Sequence, residues 1–183
     1  MTTPLPAGPF DVILADPPWH FASNSAARPG HNVRRHYPTM RLPEICAMPV
    51  PQVSARDALL FLWATAPCCH HAFAVMRAWG FTYKSQLVWV KHRQAMGFWA
   101  RNRHELVLIG RRGRFPCPRP APFPDSVIEA PTREHSRKPD DLQDRIDATW
   151  PQTRRLELFA RSTRPGWTAW GNDTGRFTTG DAA

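Results

Sequence analysis

Phe10-Asp11-Val12-Ile13-Leu14-Ala15-Asp16-Pro17-Pro18-Trp19 reads as a buried strand that runs into a rigid polar corner. Phe10 to Ala15 is short, mostly apolar and carries Val and Ile, and the proline pair closes it. Proline fixes its own φ and donates no N–H. The corner is therefore stiff, and the carbonyls of Pro17 and Pro18 are expected to be free to accept from a ligand. A carboxylate, two locked turns and an indole then frame a pocket for a planar base with an exocyclic amine, Trp19 serving as its flat roof. A plain rigid turn between strand and loop is the other reading of these four residues.

Outward from this corner, apolar runs and helical spacing alternate. Residues 20–36 are small and polar without periodicity, which predicts a loop, and Leu42 to Ala47 reads as a short helix. Ala58 to Thr65 is a second continuous apolar run, of the kind parallel strands show when both faces are covered. From Pro67 to Trp79 the apolar residues Ala72, Val75, Met76 and Trp79 recur at helical spacing and stop before Gly80. Strands follow at Phe81–Lys91, interrupted near Ser85, and at Leu106–Gly110, with a loop over 92–103 between them and a basic turn at Arg111–Arg114. Five prolines alternate through 115–125, an extended surface segment, and Val127-Ile128 is a short strand. A helix opens at Lys138-Pro139 and runs to Trp150, with Asp140 and Asp141 in its first turn where the dipole favours carboxylates. Arg155–Ala160 and Trp167–Gly171 are the last strands. Such alternation argues an α/β sheet covered by helices on both faces.

The 183 residues suit one domain with a proper core, residues 1–9 and 175–183 being flexible tails. Net charge is +9 and the isoelectric point about 10.4, with arginine supplying nearly all the basic excess, so nucleic acid is the natural partner. No run approaches the ~20 apolar residues of a membrane span, and Met1 to Pro6 lacks the character of a secretory signal. The four cysteines (46, 68, 69 and 117) fit no disulfide framework, so reduced thiols in a cytoplasmic protein are expected. Cys68-Cys69-His70-His71 is contiguous, whereas structural zinc sites space their ligands in pairs, and no metal is expected.

The Asp16-Pro17-Pro18-Trp19 corner resembles the signature of the MT-A70 family of adenine-N6 methyltransferases. Further blocks resemble that family in order: Leu60-Phe61-Leu62-Trp63, Leu87-Val88-Trp89-Val90-Lys91, His104-Glu105-Leu106-Val107-Leu108-Ile109-Gly110, Ser136-Arg137-Lys138-Pro139-Asp140, Arg155-Leu156-Glu157-Leu158-Phe159-Ala160-Arg161, Arg164-Pro165-Gly166-Trp167 and Trp170-Gly171-Asn172-Asp173. The resemblance implies a Rossmann-like S-adenosylmethionine-dependent fold, mostly parallel, with the catalytic motif before the cofactor strand in a permuted order. It implies that Asp16 and the Pro17 carbonyl accept hydrogen bonds from the target amine, with Pro18 and Trp19 shaping the corner. Trp19 and Tyr37 would stack on the base. Glu105 matches an acidic residue of the adenine pocket, though a strand-edge surface carboxylate is its other reading. Lys138, Phe159, Arg161 and Asn172, with Asp173 beside it, match cofactor-binding positions, and Asp16 borders the same cofactor.

Arg34 and Arg35 would contact substrate, within a wider set of Arg28, Arg101, Arg103, Arg111, Arg112 and Arg114 on loops flanking the pocket. DNA is favoured over RNA as the substrate of so small a chain, which suits a phage or bacterial enzyme, although no motif separates the two. A monomer or homodimer is expected, with a second subunit for target recognition left open. A non-catalytic nucleic-acid-binding partner is another class, although such partners typically lose the acid that Asp16 retains; a small-molecule or protein amino-group methyltransferase is a further reading, since an Asp-Pro-Pro-aromatic corner tolerates other planar amines.

Overall fold

The structure is a computed structural model that describes residues 3–20, 39–94, 99–118, 125–133 and 137–177. In chain order its strands are β1 (Phe10–Ala15), β2 (Ser54–Ala64), β3 (Thr82–Val90), β4 (His104–Arg112), β5 (Val127–Glu129), β6 (Arg155–Leu158) and β7 (Trp167–Trp170). The helices are α1 (Leu42–Cys46), α2 (Val50–Val53), α3 (Cys69–Ala78) and α4 (Asp141–Thr149). The strands form a single sheet in the order β5-β3-β4-β2-β1-β6-β7. β1 runs parallel to β2 and β6, β6 to β7 and β3 to β5, whereas β4 runs against both β2 and β3. The fold is thus the α/β sheet that the alternation predicts, and it is the mostly parallel, Rossmann-like one that the resemblance implies. The reversed β4 carries its first residues to the edge where the other strands end.

Strand side chains alternate between faces, and here both faces are covered. Ile13 and Ala15 of β1, Leu60 and Leu62 of β2 and Leu156 and Leu158 of β6 join one core with Ile45, Val75, Met76 and Trp79. Val12, Leu14, Phe61, Trp63, Trp89 and Val107 join the other with Leu142 and Ile146 of α4. Trp79 closes the first core by donating its indole N–H to the Ile45 carbonyl at 2.9 Å, tying α3 to α1. On the second face α4 is held by its own acids. Asp147 accepts from Arg155 (2.8 Å), Arg164 (2.9 Å) and the Trp167 indole (2.8 Å).

Several boundaries move. β2 starts at Ser54 rather than Ala58, because Val50–Val53 forms an additional helical turn that leads straight into it. Arg111 and Arg112 belong to β4, paired with Thr82 and Ala58, so the expected basic turn shrinks to Gly113 and Arg114. α4 begins at Asp141, leaving Lys138 and Pro139 before the helix. The interruption near Ser85 is a register shift between Tyr83 and Ser85. Near the two ends of the chain, Leu5 packs on the core, Trp170 donates its indole N–H to the Pro4 carbonyl at 3.0 Å, and Phe177 N–H donates to the Arg161 carbonyl at 3.1 Å. Among the described residues no helix is long and apolar enough to cross a membrane.

Candidate active site

A cleft opens over the α4 face of the sheet at the edge where the parallel strands end, lined among others by Leu14, Asp16, Trp63, Lys138, Glu157 and Phe159. Strand parity explains the set. Asp16 lies two residues past Leu14, Lys91 two past Trp89, and Glu105 two before Val107 on the reversed β4. Each continues an apolar row on the α4 face by one step, so each charge arrives at the rim of that core. In open α/β sheets ligands bind outside the carboxyl ends of the strands, where this rim lies.

The charges alternate in sign. Lys91 Nζ lies 2.5 Å from Glu105 Oε1, Lys138 Nζ 3.3 Å from Glu105 Oε2 and 2.8 Å from Asp16 Oδ2, and Arg161 Nη2 3.3 Å from that same Oδ2. Burial by itself would raise the Glu105 carboxyl, but the ammonium groups of Lys138 and Lys91 pull it below the ordinary value. Burial would likewise lower Lys138, and the carboxylates of Asp16 and Glu105 outweigh it and raise its pKa. Lys138 also stands 5.4 Å over the Trp63 ring and Lys91 4.7 Å over the Trp89 ring, so both ammonium groups are fixed from the apolar side as well. Glu105 Oε2 is buried and, despite its ion pair, makes no aligned hydrogen bond. It is an acceptor that a donor entering the cleft would satisfy.

The turn after β6 is built for a sharp exit. Phe159 adopts φ 64°, a left-handed conformation costly for a residue with a side chain. Its ring is nonetheless 7% exposed and meets Trp170 edge-on with centroids 5.8 Å apart. Two residues on, Arg161 reaches Asp16. Phe177 also lines the cleft, with the guanidinium groups of Arg137 and Arg161 at 5.2 and 5.4 Å from its ring centre. Guanidinium and ammonium donors, a carboxylate and two phenyl rings in one cleft match a zwitterionic amino-acid group joined to an aromatic nucleoside.

Of the residues singled out from sequence, Asp16, Lys138, Phe159 and Arg161 line this cleft, and Glu105 joins it through Lys138. Asn172 and Asp173 do not line it; both are exposed just past β7, with Asp173 paired to Arg176 at 3.3 Å. Arg34, Arg35 and Tyr37 lie outside the described residues.

Three expectations change. Trp19 is no open roof: it is 6% exposed in the core on the opposite face, its indole N–H donated to the Trp63 carbonyl at 3.1 Å. That bond and burial make it an anchor for the corner. The proline carbonyls are not unused either, since Pro17 accepts from Trp19 N–H (2.8 Å) and Pro18 from Met40 N–H (2.9 Å). A carbonyl oxygen has two lone pairs, so each keeps one acceptor site. Arg111, Arg112 and Arg114 sit at the end of β4 remote from the cleft, because β4 is reversed; Arg112 binds the Pro51 carbonyl there at 2.8 Å.

Trp63, Lys91, Gln143, Glu157 and Phe177 were not anticipated as site residues. The parity rule finds Trp63, Lys91 and Glu157 once the strands are set. Nothing local marks Gln143 or Phe177. Glu157 accepts a hydrogen bond from Gln143 at 3.0 Å, and burial lifts its carboxyl from 4.5 to about 7, with the charge of Asp16 adding to the rise.

The MT-A70 family model matches residues 10–173. The type II methyltransferase M.MunI of Mycoplasma sp. is 31% identical over 91% of this chain and 78% of its own length. The N(6)-adenosine-methyltransferase catalytic subunit METTL3 of Homo sapiens is 30% identical over 90% of this chain and 28% of its own. The N(6)-adenine-specific methyltransferase METTL4 of Mus musculus is 29% identical over 92% and 38%. This chain therefore spans most of M.MunI and a minor part of the two mammalian proteins. With the corner, the alternating charges and the sheet edge they occupy, these matches establish that the chain belongs to the MT-A70 family of adenine-N6 methyltransferases.

Proposed function

We propose that the protein transfers a methyl group from S-adenosylmethionine to the N6 amine of adenine in DNA. The observation that carries this reading is the cluster of Asp16, Glu105, Lys138 and Arg161 at the carboxyl edge of a family-matched sheet. Bound in this cleft, S-adenosylmethionine would supply a sulfonium methyl carbon, an electrophile that needs no further activation. Lys138 and Arg161 would hold its carboxylate, Asp16 its ammonium, and Phe159 its apolar parts; Asn172 and Asp173 would meet it from the rim.

Adenine N6 is a weak nucleophile because its lone pair is delocalised into the ring. Asp16 and the second lone pair of the Pro17 carbonyl would each accept one N6 proton, localising that pair and aiming it. Both cations contact Oδ2 of Asp16, and the Oδ1 atom takes no part in these ion pairs. Glu105, held by Lys91 and Lys138, would border the adenine pocket and keep Lys138 in place beside Asp16. Tyr37 would stack on the base, Pro18 and Trp19 would keep the corner rigid, and Arg34 and Arg35 would meet phosphates. As the N–C bond forms and the methyl–sulfur bond breaks, its electron pair staying on the departing thioether sulfur, N6 gains positive charge and sheds a proton, for which Asp16 is the adjacent base. Rate then comes largely from holding the reacting atoms in line.

The net charge of +9 supports a nucleic-acid substrate, and DNA rather than RNA is the reading put to the test. Transfer of radiolabelled methyl to unmethylated duplex DNA and to matched single-stranded RNA tests the substrate. Asp16→Ala should lower transfer by at least about 100-fold while calorimetry still detects S-adenosylmethionine binding. Undiminished turnover in that variant would remove the role given to Asp16, and transfer to RNA alone would reassign the substrate.

A further inference from the structure

Among the described residues, Trp99 is the most exposed large apolar side chain. It is 102% exposed, whereas Trp19, Trp63, Trp79, Trp89 and Trp167 are each at most 9% exposed. A fully exposed indole offers a large, rigid, flat apolar face to a partner. Trp99 belongs to the connection between β3 and β4, and that connection is rooted in the cleft. Lys91 N–H donates to the Arg103 carbonyl at 2.7 Å, Arg103 Nη2 to the Lys91 carbonyl at 3.5 Å, and the side chain of the same Lys91 holds Glu105. Trp99 is six residues from Glu105, within about 20 Å even for a fully extended chain. Arg93, Arg101 and Arg103, all exposed, share its connection, with no acidic residue between Lys91 and His104.

An exposed aromatic among guanidinium groups has the chemistry of a nucleic-acid contact. The charges take phosphates, and the flat ring stacks on a base of any identity. A base buried in a duplex must leave the stack to reach Asp16, and the gap it leaves needs a filler. Apolar side chains wedged between base steps fill such gaps in other systems. Resting on the reading of the cleft as an adenine-N6 site for DNA, we infer that Trp99 is a stacking wedge, its indole occupying the place in the duplex that the target adenine vacates.

The test compares wild-type protein, Trp99→Ala and Trp99→Phe on two pools of duplex DNA. Each pool has random sequence around a single adenine, one fully paired and the other with an abasic site opposite that adenine. Because Trp99 touches no core, all three proteins should share one thermal midpoint. On the paired pool Trp99→Ala should lose about 10-fold in kcat/KM, as expected for one lost base stack, and Trp99→Phe should keep most activity. On the abasic pool, where the base is already loosened, the loss should be under about 3-fold. Unchanged kcat/KM for Trp99→Ala on paired DNA would overturn the wedge, as would equal losses on the two pools. A change of sedimentation behaviour in Trp99→Ala without DNA would instead make this face a self-association surface. Wild-type protein that methylates neither pool would remove the DNA reading itself, and the wedge with it.

Discussion

Glu157 is a half-buried acid on a strand whose neighbours, Leu156 and Leu158, point into the opposite core. Its position puts it under α4, where Gln143 supplies a single hydrogen bond and the charge of Asp16 is close. Burial dominates and raises the carboxyl from 4.5 to about 7. Between those two values the folded protein binds more protons here than the unfolded chain, so stability falls as pH rises across that window. The neutral acid is stable below about 4.5, and the full cost of the buried charge is felt above about 7. Integrated, this amounts to at most about 3 kcal/mol. Glu157→Gln keeps a hydrogen-bonding group and abolishes the titration. Thermal melts should show Glu157→Gln several degrees more stable than wild type at pH 8.5 and nearly equal to it at pH 5. Equal midpoints at pH 8.5 would show that the carboxylate is not penalised by its surroundings.

The connection that turns from β6 toward β7 holds Arg161 against Asp16, and its geometry depends on two backbone details. Phe159 is left-handed, and Gly171 lies where the end of β7 crosses it. A Cβ at Gly171 would meet the Ala160 oxygen at 2.3 Å and the Ala160 nitrogen at 2.8 Å, and main chain cannot swing aside as a flexible side chain would. Gly171→Ala should therefore push the 159–161 turn away from the cleft. We expect a loss of about 1–3 kcal/mol, or roughly 2–10 °C in Tm, and weaker S-adenosylmethionine binding by calorimetry. An unaltered Tm would mean that the turn yields without cost. Phe159 accepts its strain because the ring is packed against Trp170, so the surrounding structure over-determines the backbone.

Across the whole molecule the basic excess is not one uniform field. Because β4 is reversed, Arg101 and Arg103 lie before it at the cleft edge, and Arg111, Arg112 and Arg114 lie at its far end. The far group is partly engaged, Arg112 with the Pro51 carbonyl and the Arg114 amide with Asp57 at 2.5 Å. Anion binding should follow this division. Arg101→Glu with Arg103→Glu should weaken duplex DNA binding and lower the slope of log K against log salt by about 2, one for each lost phosphate contact. Arg111→Glu should change that slope by less than about 0.5. Fluorescence anisotropy across a salt series reads both, and equal effects from the two edges would contradict the polarity of the charge.

Much of this was legible in the chain. The apolar runs and helical spacing located the principal strands and both longer helices, and the Asp16-Pro17-Pro18-Trp19 corner marked the site, since local sterics and burial period act over a few residues. What no local pattern carried was direction. The reversal of β4 turned Glu105 from a strand-edge acid into a member of the charge cluster and sent Arg111, Arg112 and Arg114 away from the cleft. Trp19 likewise looked like a stacking surface until the packing showed which face its ring takes. The sequence alone determined the family, the alternation of elements and the acid at the corner. Only the tertiary structure decided which charges meet, because pairing at 3 Å or so depends on strand order and polarity, which are settled by contacts between residues far apart in the chain.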